Sequence, residues 1–220
     1  MKQYHKIQTV FLRDPETKFR TLLLGEFAKP EFEYLKDLEW VWTEKIDGTN
    51  IRIGWNGINI TYRGKTDKAN IPKELFEKLI DMFKDQKDLF ASAFDFEDVP
   101  EDKWPEVIFY GEGYGRKIQK GGNYIADGVN FILFDVRIGN IWLTRESVED
   151  IGNKFGLKIV PILGEGTLDE AIEFVKTGFK STISENPDYI AEGIVARPKV
   201  ELLTRNGKRL ITKIKHCDFK

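Results

Sequence analysis

The 220-residue chain has a single cysteine, Cys217, and two histidines, His5 and His216. One thiol excludes a disulfide framework and any multi-cysteine metal centre, and two histidines do not build a histidine-rich zinc site. The start, Met1-Lys2-Gln3-Tyr4-His5, has no apolar signal core, and no apolar run approaches the roughly 18 residues a membrane span needs. The expectation is a cytoplasmic protein without a membrane partner. An excess of positive charge is also missing: 34 Lys+Arg stand against 36 Asp+Glu, so any attraction for a polyanion must come from a local patch. Neither internal repeats nor a Pro/Ser-rich linker interrupt the chain, which reads as a single domain over 1–220.

What is present alternates between strands and a few helices. Ile51–Trp55 and Ile58–Tyr62 flank Asn56-Gly57, a dipeptide suited to a two-residue hairpin turn. Asn206-Gly207 predicts a second hairpin between Val200–Arg205 and Arg209–Lys215, and Gly139-Asn140 a third between Val129–Ile138 and Ile141–Thr144. Pro72 opens a 3.6-residue stripe of Leu75, Phe76, Leu79, Ile80 and Phe83. Thr167 and Glu170 form a capping box, and a further helix is predicted from Arg145 to Phe155, stopped by Gly156. Leu157–Leu163, broken by Pro161, reads as an edge strand. Residues 11–25 read as another hairpin, turned at Pro15. The sum is an α+β fold, mostly antiparallel sheets flanked by helices.

The chemistry concentrates in Thr43-Glu44-Lys45-Ile46-Asp47-Gly48-Thr49-Asn50, a lysine between carboxylates ahead of a turn glycine. A lysine amine is nucleophilic only when deprotonated, against a reference pKa of about 10.4, so activation requires burial, neighbouring cations or a metal ion. Taken alone, the segment also fits surface charges entering a turn. Its company is more specific. Tyr62-Arg63-Gly64, Phe109–Gly115, Phe131–Val136, Glu192–Ala196 and Lys213-Ile214-Lys215 follow in order, each beside or on a strand.

In this order, from about residue 38 onward, the motifs resemble the covalent nucleotidyltransferases, the superfamily of RNA ligases, ATP-dependent DNA ligases and mRNA capping enzymes. DNA ligases and capping enzymes usually carry arginine five residues after the lysine. Asn50 stands there, and the Lys-Ile-Asp-Gly-Thr-Asn string is similar to the RNA ligases, in particular the branch of T4 RNA ligase 2. The loop Gly115–Gly122 resembles that branch too. The resemblance implies a nucleotidyltransferase (ATP-grasp-like, ligase catalytic) domain and ATP-dependent joining of 5′-phosphate and 3′-hydroxyl RNA ends, free or in a nicked duplex, as in RNA repair. Lys45 would become a lysyl-AMP, with Lys213 and Lys215 against the α-phosphate. Mg²⁺ or Mn²⁺ would sit near Glu192. Asp47 has two readings, a contact to the hydrated metal or a cap on the turn. Glu112 matches the ribose contact and Phe134 the adenine stack, with Phe131 as its competitor. Asn50 and Arg63 match positions near the AMP phosphate and ribose, Glu44 the adenine edge, and Ile46 the floor beneath the base.

Seven Lys/Arg between Lys199 and Lys220 against Glu201 and Asp218 leave a local charge of +5, and Arg116, Lys117 and Lys120 form a second cluster. Both suit an RNA backbone or a solvated face. The resemblance implies a C-terminal oligonucleotide-binding or helical domain, neither of which fits in the five residues after Lys215, so the expectation is a minimal ligase or a partner protein that supplies substrate surface. The alternatives are a nick-sealing DNA ligase and a nucleic-acid-binding module without catalysis.

Overall fold

A computed structural model describes residues 1–119 and 124–220. The stretch 1–220 is organised as two compact units that interleave along the sequence. Unit 1 comprises Met1–Tyr4 and Asp47–Val160, and unit 2 comprises His5–Ile46 and Pro161–Lys220. No long linker marks the division: the crossings at Ile46–Asp47 and Val160–Pro161 each step almost directly from one strand to the next. The first falls inside the lysine motif. Lys120, with Gly121 and Gly122 of the RNA-ligase-like loop, lies outside the described residues.

Unit 1 is built on a sheet of order β10-β8-β7-β5-β6, with β9 beside β8. Its strands are β5 (Thr49–Trp55), β6 (Ile60–Arg63), β7 (Val107–Gly115), β8 (Val129–Ile138), β9 (Ile141–Trp142) and β10 (Lys158–Ile159). Alternation sends Ile51, Ile53 and Trp55 to one face, where they pack with Leu75, Leu79 and Phe83 of α2 (Lys73–Phe83). Phe90 of α3 (Lys87–Ala93) and Val148 and Ile151 of α4 (Arg145–Lys154) complete that layer. Rings dominate it: Phe90 and Phe155 centroids lie 4.7 Å apart, and Phe109 and Phe155 5.0 Å. Of the predicted helical stripe, only Phe76 stays 39 % exposed. Thr144 caps α4, as its side chain accepts the Ser147 N–H.

Unit 2 carries a five-stranded sheet of order β1-β13-β12-β4-β11. Its members are β1 (Gln8–Thr9), β4 (Trp40–Glu44), β11 (Ile162–Gly166), β12 (Gly193–Pro198) and β13 (Thr212–Lys215). Trp40, Trp42, Ile194, Ala196 and Ile214 face Leu168, Ala171, Ile172 and Val175 of α5 (Leu168–Thr177). The predicted capping box is present in full at Thr167 and Glu170. A separate two-stranded ladder, β2 (Phe11–Arg13) with β3 (Leu22–Phe27), forms the expected N-terminal hairpin, followed by the short α1 (Pro30–Tyr34).

Three local expectations change. The Asn56-Gly57 turn is a four-residue loop: the Asn56 side chain accepts the N–H groups of Ile58 and Asn59, which holds both out of the ladder. Val200–Arg205 forms no strand beyond a Leu203–Arg209 bridge. Val200 and Leu203 are 73 % and 61 % exposed, so this arm has no face to bury, and β13 pairs with β12 and β1 instead. Leu157–Leu163 divides at Pro161, with β10 on the edge of one sheet and β11 on the edge of the other.

Candidate functional site

In unit 2 the face opposite α5 gathers charge. Thr43, Val195 and Lys213 stand in register across β4, β12 and β13, and Lys215 lies opposite Gly193. The Lys45 N–H, just beyond β4, donates to the Gly193 carbonyl. Glu192 enters the strand beside it. Its Oε2 lies 2.5 Å from Lys45 Nζ and its Oε1 2.6 Å from Lys215 Nζ. One carboxylate thus bridges two ammonium groups that are 22 % and 28 % exposed, while Glu192 itself is 13 % exposed. Gly193 permits this approach: its φ is +150°, and a Cβ there would stand 2.0 Å from the Ile214 carbonyl oxygen.

Lys213 shares the face but has no carboxylate within ion-pair distance among the described residues. Burial lowers its pKa, and the charges of Lys215, Lys45 and Arg13 push it the same way, only partly opposed by Glu192. Lys215 differs. Burial lowers it too, but the Glu192 hydrogen bond and charge outweigh that and hold its ammonium above the ordinary lysine range. The cluster is therefore a cationic seat for an anion, with one member short of negative charge.

Glu44 points to the other face of β4. Its carboxylate is 1 % exposed; it accepts the Ser181 hydroxyl, and at 2.9 and 2.8 Å the Thr182 N–H and hydroxyl. The carboxylate is thus committed to the Ser181-Thr182 loop and is closed to the expected adenine contact. Ile46 is buried at the end of unit 2.

Unit 1 presents a second set on the sheet face away from its helices. Asn50 lies directly opposite Glu112 on β5 and β7, and Arg63 opposite Arg52 on β5 and β6. The Asn50 Oδ1 is buried with no hydrogen-bond partner among the described residues. Gly48 brings the turn down on this strand: a Cβ would meet the Gly113 carbonyl at 2.3 Å. Asp47 donates its N–H to the Tyr124 hydroxyl at 3.3 Å. The sheet separates the two aromatic candidates. Phe131 is fully buried beside Phe83, whereas Phe134 is the extra residue of a β-bulge opposite Tyr110-Gly111 and is only half-buried, its ring edge-on to Tyr4 at 5.1 Å. Arg63 is exposed and borders a cavity of about 360 Å³ with Thr61, Asp67 and Glu106.

A family model for RNA ligases matches residues 38–215, most of the chain and every motif above. The chain belongs to the RNA ligase family. Solved structures agree on the fold. An RNA ligase of Naegleria gruberi, a point mutant with AMP and Mn, matches at TM-score 0.65 and 16 % identity, over 100 % of this chain and 57 % of that one. Another mutant with ATP and Mn gives TM-score 0.64, 16 % identity, and coverage of 98 % and 56 %. The same enzyme with PPi gives 0.62, 19 %, and 100 % and 63 %. The chain thus spans less than two thirds of the ligases it resembles.

Several residues important to this ligase fold had no sequence signal. Ser181 and Thr182, which hold Glu44, sit in an irregular loop. Arg52 alternates with Ile51 and Ile53 and reads as outward-facing, yet it is fully buried, bonded to the Gly64 and Met1 carbonyls and to Asp67. Only an arginine flanked by isoleucines on a strand hinted at it.

Proposed function

We propose that the chain is an ATP-dependent RNA ligase that works through lysyl-AMP. The observation that carries this reading is the bridge of Glu192 between Lys45 and Lys215 on a face shared with Lys213. In the first step Lys45 Nζ attacks the α-phosphorus. A P–N bond forms, the P–O bond to pyrophosphate breaks, and the amine gives up a proton. Lys213 and Lys215 neutralise charge growing on the phosphate oxygens. The RNA 5′-phosphate then attacks the same phosphorus, and Lys45 leaves as the protonated amine. A 3′-hydroxyl finally displaces AMP from the activated end. Each transfer is easier than direct condensation.

Glu112 and Asn50 would hold the nucleoside and its phosphate by hydrogen bonds, Arg63 the phosphate by charge, and Phe134 the base by stacking. Among the described residues no three His, Cys, Asp or Glu cluster as a metal cage. Glu192, an oxygen donor, fits a hard ion that keeps most of its waters and shares phosphate oxygens, and Asp47 could meet that water shell. Mg²⁺ or Mn²⁺ bound there would act as a Lewis acid on the phosphoryl group. The substrate on this reading is RNA with 5′-phosphate and 3′-hydroxyl ends. Matched RNA and DNA nicks separate it from a DNA ligase: preference for ribose on the 3′-hydroxyl side is expected.

The deciding experiment is intact mass after ATP and Mg²⁺ or Mn²⁺, on protein first stripped with pyrophosphate. The parent should gain one AMP and Lys45→Ala none. A parent without adduct overturns the ligase reading.

A further inference from the structure

The tip of the β2–β3 hairpin in unit 2 exposes Phe19, whose ring is 61 % accessible and belongs to neither apolar cluster. Its φ is +62°, and that of Lys18 is +55°. Left-handed backbone is costly for a bulky residue, and burial gives nothing back here. The loop is nonetheless built to hold it. The Phe19 N–H donates to the Asp14 carbonyl at 2.9 Å and the Lys18 N–H to that of Pro15 at 3.0 Å. The Thr17 hydroxyl donates to the Asp14 carbonyl and accepts the N–H groups of Arg20 and Thr21. Arg13 reaches the carbonyls of Phe19 and Arg20 with one nitrogen and grips Asp218 with another at 2.8 and 3.0 Å. Asp218 follows β13 by three residues, which ties the tip to the strand bearing Lys213 and Lys215. Lys18 and Arg20 flank the ring, exposed and without an ion-pair partner among the described residues.

A rigid, exposed aromatic between two free cations has no role in packing, but it suits an unpaired nucleobase: every base offers a π-face, and the flanking ammonium and guanidinium suit the adjacent phosphates. We infer that Phe19 is a stacking post for an unpaired base of the RNA strand, with Lys18 and Arg20 on its backbone. The inference rests on the ligase reading for the identity of the strand. Asp14 and Glu16 balance the two cations locally, so the ring supplies more of the hold than charge does.

Phe19→Gly tests this cleanly, because glycine relieves the positive φ and the fold should melt no earlier than the parent. Fluorescence anisotropy with a short single-stranded 5′-phosphorylated ribo-oligonucleotide should show affinity weakened on the order of tenfold. An abasic strand of equal length should bind parent and variant alike, and Phe19→Trp should keep the parent affinity. AMP uptake from ATP should be unchanged in Phe19→Gly. Equal binding of the base-bearing strand by parent and Phe19→Gly overturns the inference, as does an equal loss for the abasic strand. A parent that shows the Phe19 contrast yet takes up no AMP sinks the ligase chemistry and leaves the stacking post standing.

Discussion

The two units solve one problem in different ways. Each sheet buries one face against helices and carries its charged residues on the other. In unit 1 the buried face is rich in phenylalanine, and the polar face pairs Asn50 with Glu112 and Arg52 with Arg63. Unit 2 has a core of two tryptophans and aliphatic residues, and its polar face crowds Lys45, Lys213 and Lys215 around a single carboxylate. Like charges concentrated on one sheet must be held by something stiff. On the other side of β4 the buried Glu44 fastens the Ser181-Thr182 segment, which precedes Glu192 in the chain.

Emptying the aromatic core of unit 1 should have the largest effect. Phe83 is fully buried against Phe90, Phe109, Phe131 and Phe155, and Phe83→Ala should cost about 3–5 kcal/mol in chemical denaturation. A loss below about 1 kcal/mol would mean that the ring cluster is not what holds this unit.

Next comes the buried carboxylate of unit 2. Glu44→Ala strands three donors and should cost about 2–3 kcal/mol. Glu44→Gln should recover most of that, because the Ser181 hydroxyl can turn to accept from the amide. Equal losses in the two variants would show that the carboxylate charge matters rather than its hydrogen bonds.

The smallest expected effects are opposite in sign. Lys213 has a depressed pKa, so its buried charge opposes folding until pH rises through that lowered value toward 10.5. Lys213→Met should raise Tm at neutral pH, and the gain should shrink across that alkaline window. Lys215 has a raised pKa, so its contribution is complete below 10.5 and fades as pH climbs through the raised value. Lys215→Met should lower Tm at neutral pH. Melting curves from pH 7 to 11 check both, and shifts of the same sign would refute the asymmetry between the two lysines.

Periodicity and turn chemistry alone located most helices and hairpins, because caps such as Thr167 and Glu170 and the stripe from Leu75 to Phe83 are local. Motif order was equally legible, since Lys45 and Glu192 border short strands and Lys213 and Lys215 lie on one. The helix from Lys87 to Ala93 was missed, as only Leu89 and Phe90 mark its buried side. The burial of Arg52 was not legible, because alternation cannot tell a solvated face from one covered by another part of the chain.

Sequence by itself thus determined the order of the family's motifs and which local segments are helix or strand, for these depend on neighbours within a few residues. Tertiary structure alone decided which carboxylate meets which lysine, that Glu44 is tied down, that Phe134 rather than Phe131 is accessible, and that Lys213 has no ion-pair partner among the described residues. Those outcomes depend on strand register, on a bulge and on burial by residues distant in the chain, and electrostatics in a desolvated cluster follows from such distances.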